Sequence, residues 1–273
     1  MRLLTPLSPF LVGFVRLALA APLLFATAFA TGQWRVGSPA NGPVTLGIGV
    51  ALAAYQVCYF SAVPRTSVAT TALLAICTAP LMVAGLSALF LRERLNRITL
   101  LAMAVGIAGT ALLVARPDGD AVRLTGRFAF GALLALGAAL AYAFVVVLSK
   151  RLLREMPPLA IVGLSFPIGA ALLSPVALHS SSIPHTPVQW GLLLYLGVIP
   201  TALAYTLYIF GLRMTSATVS SIVTLLEPLT ATTLGLLVFG ERLGTLGWIG
   251  AGLLLGALLL TARAPLTRER SEG

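Results

Sequence analysis

Nine long apolar runs, at about 10–30, 44–62, 67–91, 98–115, 128–149, 159–177, 189–212, 217–239 and 245–262, leave this 273-residue chain little choice of fold. Each is close to the roughly 20 residues that carry a helix across the hydrocarbon of a bilayer. Inside lipid the backbone finds no water, so a spanning run must bond to itself as a helix or close into a barrel. A barrel needs alternating segments of about ten residues, and stretches such as Ala132-Leu133-Leu134-Ala135-Leu136 do not alternate. The expected fold is all-α, a polytopic membrane helix bundle.

Charge agrees. Only 10% of residues are charged and 58% are hydrophobic, whereas a soluble domain carries roughly 25% charged residues. The formal charge of +10 sits between apolar runs, without the aromatic or zinc-finger patterns of nucleic-acid binding. A lipid bilayer, not nucleic acid, is the expected partner. Ala26-Thr27-Ala28 resembles a signal cleavage site, but Arg16 interrupts the run before it. Cys58 and Cys77 lie inside apolar runs and suggest small packed side chains rather than a disulfide.

The chain repeats itself. Shifted by 148 positions, Ala69-Thr70 falls on Ala217-Thr218, Pro80-Leu81 on Pro228-Leu229, and Glu93-Arg94-Leu95 on Glu241-Arg242-Leu243. The matching helices lie five spans apart, and an odd number places them in opposite orientations. An inverted repeat of this kind is a sequence signature of secondary transporters. The polar stretch at 116–127 separates a first repeat, 1–115, from a second, 128–262, followed by a tail at 263–273. The first repeat has four spans against five, so the helix that should pair with 128–149 is expected to be missing. With the carboxyl terminus in the cytoplasm, eleven Lys and Arg lie inside and six outside, as the positive-inside rule favours.

These residues resemble the drug/metabolite transporter superfamily, EamA type. The resemblance rests on Pro80 followed by Glu93-Arg94-Leu95, on Pro228 followed by Glu241-Arg242-Leu243, and on Ser8-Pro9 with Phe14-Val15-Arg16. Glu227-Pro228 is similar to the family's Glu-Pro pair in its ninth helix. The resemblance implies ten spans in two inverted five-helix repeats, here lacking the first helix. It also implies alternating access around a central cavity, and export of amino acids, metabolites or drug-like molecules through the plasma (inner) membrane.

Two formal charges fall deep inside predicted spans, Arg16 and Glu227. Such charges are costly in lipid and should face protein or water. Glu227 is placed either to contact a substrate cation or carry a proton, or to hold a neighbouring helix; burial would raise its pKa. Ser220, Thr224, Glu227 and Thr230 share one helical face. Arg16 is placed to bind an anionic group, to pair with Glu227, or to snorkel toward the interface. Thr201, Tyr205 and Tyr208 share a face of the 189–212 run, while Tyr55, with Gln56 beside it, shares one with Tyr59. Pro80 and Pro228 remove backbone bonds in mid-span and should loosen their helices, a gating role in a carrier. Glu93 and Glu241 look like anchors at helix ends. Gly106 and Gly109, and Gly252 with Gly256, permit close packing, either within the chain or across a homodimer seam.

Catalytic and nucleotide-binding motifs are missing from the sequence, and His179 and His185 lack a third metal ligand. The expectation is no enzyme, no cofactor and no metal, but a secondary transporter of a small molecule. A non-transporting membrane subunit, or a truncated transporter needing a partner, is the alternative.

Overall fold

The computed structural model describes residues 7–34, 37–114, 125–179, 186–239 and 244–263. Among these the backbone is helical throughout its regular parts. The helices are α1 (Pro9–Ala30), α2 (Gly42–Ala62), α3 (Val68–Leu86), α4 (Arg97–Val114), α5 (Gly126–Leu152) and α6 (Pro158–His179). They are followed by α7 (Pro187–Gly197), α8 (Ala204–Met214), α9 (Ala217–Val223), α10 (Leu226–Phe239) and α11 (Thr245–Arg263). Among the described residues eight stretches are long and apolar enough to cross a membrane, and α4 is a shorter apolar helix. They coincide with the nine runs of the sequence.

Polar residues mark where these helices begin. Ser8, Ser67, Asn96, Thr125, Thr186 and Ser216 each accept a backbone N–H from the first turn that follows. Each such cap is worth about 1 kcal/mol and ends the apolar run with a group suited to the interface. At α7 the cap is reciprocal, because Gln189 accepts the N–H of Thr186 in return.

Two of the runs are interrupted. The run at 189–212 widens into a π-helical stretch, Val198–Leu203, between α7 and α8. The run at 217–239 divides into α9 and α10. By contrast α3 runs through Pro80 as one helix.

The helices form two compact units, Met1–Phe60 with Phe144–Met214, and Ser61–Ala143 with Thr215–Gly273. In the first, α1 packs along α6 through buried Leu17, Ala20, Leu24 and Ala28. In the second, α4 and α11 cross closely. A Cβ on Gly109 would lie 2.9 Å from the Gly250 carbonyl oxygen, and one on Gly250 would lie 2.6 Å from that of Gly109. The close crossing therefore uses Gly250, not the Gly252–Gly256 pair that the sequence pattern suggests. Gly252 and Gly256 have no atom within 4 Å of an added Cβ. Gly106 does pack closely, against Leu225 and Ala257. Large apolar side chains such as Leu133, Leu207, Leu237 and Trp248 are exposed, as lipid-facing residues must be.

Candidate functional site

In the first unit the centre of interest is a proline. Pro200 lies in the π-helical stretch and has no N–H, so the carbonyl of Leu196 loses its ordinary helical donor. The hydroxyl of Thr201 fills the gap, donating to the Leu196 carbonyl at 2.7 Å. That same hydroxyl oxygen accepts the Nε–H of Arg16 at 3.1 Å. The guanidinium is thus tied to the middle of a neighbouring span, with Thr201 only 2% exposed. Packing supports the link, because a Cβ on Gly197 would lie 2.7 Å from Cβ of Leu19. Only a glycine lets α7 approach α1 so closely beside Arg16.

The structure shows the Arg16 side chain bonded to Thr201 of a neighbouring span. Its burial is intermediate. An arginine at this depth would cost at least about 2.5–3.5 kcal/mol without such support. Pro200 is the residue that sequence reasoning missed. Its signal was available, a mid-span proline directly before a threonine, but the repeat drew attention to Pro80 and Pro228 instead.

One turn beyond Thr201, Tyr205 packs edge-on against Phe166, with ring centroids 4.9 Å apart, and Tyr208 lies 6.4 Å from Tyr205. The two tyrosines, Phe166, Ser149, Ser165 and Ile48 line a small cavity with room for about one water-sized molecule. Tyr55 stacks on Tyr59 at 5.8 Å. Gln56 lies near Gly13, where an added Cβ would come within 3.3 Å of its Oε1. The structure therefore joins Arg16 to Thr201, and Tyr205 to Tyr208, and places Tyr55 and Gln56 on α2 of the same unit.

In the second unit the polar face of α9 and α10 is interrupted at its middle. Thr224 Oγ1 donates to the Ser221 carbonyl, and Ser221 Oγ to that of Thr218. The N–H groups of Leu225 and Glu227 close tight turns onto Ile222 and Thr224. Pro228 then falls in the first turn of α10, where no N–H is required. Glu227 occupies the same turn, where the positive end of the helix dipole suits a carboxylate. It is exposed, not buried as a charge inside a continuous span would suggest, while Ser220 is buried and Thr224 half-buried.

Glu93 is an anchor, as its position suggested. Its carboxylate accepts the Ala217 N–H at 2.8 Å, the Thr218 N–H at 3.3 Å and the Thr218 hydroxyl at 2.9 Å. The turn that delivers it passes through Arg92, whose φ is +55°. In the repeat a glycine, Gly240, stands at that position. Gly240, the Glu241-Arg242-Leu243 motif, His185 and most of the 116–127 linker lie outside the described residues.

A model of the EamA-like transporter family matches residues 1–115 and 129–263. The chain belongs to that family. Among curated relatives of this EamA-like protein is the uncharacterized transporter YwfM of Bacillus subtilis, 31% identical over 266 residues, which cover 97% of this chain and 88% of the relative. An uncharacterized transporter of Archaeoglobus fulgidus is 33% identical over 205 residues, 75% of this chain and 71% of that one. The uncharacterized inner membrane transporter YicL of Salmonella typhimurium is 27% identical over 219 residues, 79% of this chain and 71% of its own. A solved crystal structure superposes with a TM-score of 0.80 at 22% identity, covering 93% of this chain and 86% of that one; it supports the fold. The protein is accordingly a multi-pass membrane transporter of a small molecule, and not an enzyme.

Proposed function

We propose that this EamA-like protein exports a small metabolite, amino acid or drug-like molecule across the plasma (inner) membrane by alternating access. The reading takes the two sequence repeats, 1–115 and 128–262, as inverted halves, with the carboxyl terminus in the cytoplasm. One observation carries it: two spans are interrupted in mid-course at prolines, and each interruption holds a charged residue. At Pro200 the freed carbonyl is bonded by Thr201, which holds Arg16. At Pro228 the break places Glu227 at the start of α10. Interrupted helices with polar groups at the breaks are how many carriers build a substrate site near the midplane. Arg16, Tyr55, Gln56, Thr201, Tyr205, Tyr208, Ser220, Thr224 and Glu227 are the residues proposed to meet the substrate, with Pro80 and Pro228 as points of flexure.

Proton coupling is assigned to Glu227. The test is flux of a substrate panel into everted proteoliposomes holding the full chain, with and without a pH gradient. Gradient-driven accumulation of at least one compound is expected, and Glu227→Gln should leave only gradient-independent flux. No flux of any compound, or unchanged gradient dependence in the variant, would contradict the transport reading or the coupling role respectively.

A further inference from the structure

Among the described residues of its unit, the charge of Arg16 is oriented but not neutralised. Its unit contains a single acidic residue, Glu155, and that side chain is exposed in the turn after α5. The partner that holds Arg16, the Thr201 hydroxyl, is neutral, and its own proton is committed to the Leu196 carbonyl. A guanidinium has five N–H donors in a planar fork, and the bond to Thr201 uses the one on Nε. The two terminal nitrogens do not figure among the buried polar atoms that lack a partner, so they are not sealed into dry protein. Arginine in a membrane usually pairs with an acid or with backbone carbonyls. Here the described residues of the unit supply a holder and no anion beside it.

We propose that the terminal N–H groups of Arg16 receive a carboxylate of the transported molecule, as a two-pronged pair, with Thr201 and the Pro200 turn as positioning residues. This rests on the transport reading above and names its substrate class. A carboxylate fits better than a phosphate monoester, whose charge at neutral pH approaches two. The other basic residues described in this unit, Lys150, Arg151, Arg154 and Arg213, lie at or beyond helix ends. Lys150 donates to the Leu212 carbonyl there. A monoanion therefore balances Arg16 without a second cation.

The test uses the full chain in phosphatidylcholine liposomes, labelled with phenylglyoxal and read at Arg16 by mass spectrometry. The labelling is repeated with amino acids and short monocarboxylic acids, each beside its methyl ester. At least one acid should slow labelling about tenfold, with its ester nearly inert, as a charge-assisted bidentate pair requires. Thr201→Val keeps the charge and should erode the preference for acid over ester while the melting temperature stays close to that of the parent. Equal labelling with every acid and ester would overturn the proposal. So would protection by phosphatidylglycerol in the absence of any acid, which would assign the guanidinium to lipid. Protection without flux in the same liposomes would remove the transport reading and leave the anion site. Flux that treats acid and ester alike, in the parent and in Arg16→Gln, would remove the site and leave transport.

Discussion

Pro80 and Pro228 occupy equivalent positions in a repeat of period 148, yet the chain treats them differently. Around Pro80, α3 is one helix; before Pro228 the helix stops at Val223 and restarts at Leu226. The neighbours explain why. Ala72, Leu73, Ile76 and Ala79 precede Pro80, and the matching positions before Pro228 hold Ser220, Ser221, Thr224 and Glu227. Side-chain hydroxyls that bond back to the preceding turn compete with the helix, and Ser221 and Thr224 bond back in this way. The carbonyl that Pro228 cannot serve is that of Thr224, and the N–H of Glu227 takes it instead. A proline permits a break in a membrane helix; one back-bonding hydroxyl, Thr78, beside Pro80 does not produce it, whereas the break before Pro228 carries two hydroxyls and an acid.

The largest test of that difference is to carry the acid into the first copy. Ala79 is 7% exposed, so Ala79→Glu should cost about 3 kcal/mol or more, read as a lower melting temperature in detergent. A variant as stable as the parent would mean that the two positions are equivalent after all. Next in size, Pro228→Ala in proteoliposomes should lower flux about tenfold with little change in melting, because that position needs no helical N–H. If instead Pro80→Ala proved the more damaging of the two to flux, the unbroken helix would be the working element.

A smaller effect concerns how each copy is fastened. Glu93 caps the start of α9 through its carboxylate, so Glu93→Gln should lose about 1 kcal/mol of stability. Glu241→Gln would lose a similar amount if the repeat holds at this level, and a clear inequality between the two would sharpen the contrast. Smallest is the effect of the hydroxyls themselves. Joint Ser221→Ala and Thr224→Val replacement should slow amide exchange at Leu225 and Glu227 by about threefold, as the helix closes across the gap. Faster exchange would show that the hydroxyls stabilise the turn rather than oppose the helix.

Much of this was readable before any coordinates. Backbone groups in lipid admit hardly any structure but helices, so nine apolar runs named the spans. The cost of charge in hydrocarbon singled out Arg16 and Glu227, and the matched Pro and Glu-Arg-Leu motifs pointed to the family. Less was readable where the answer depended on which helix lies against which. Nothing local ties Arg16 to Thr201, 185 residues away, and a GxxxG spacing does not say that Gly250 is the glycine that meets Gly109. The Ser and Thr of α9 read as a stripe on one helical face, but the helix is interrupted beside them and Glu227 is exposed.

Sequence alone settled what the bilayer demands of each segment separately, since desolvation acts on every residue wherever its neighbours are. Tertiary structure alone decided which polar groups satisfy one another, because a hydrogen bond needs its partner within about 3 Å, and only the packing of helices brings residues from distant spans that close.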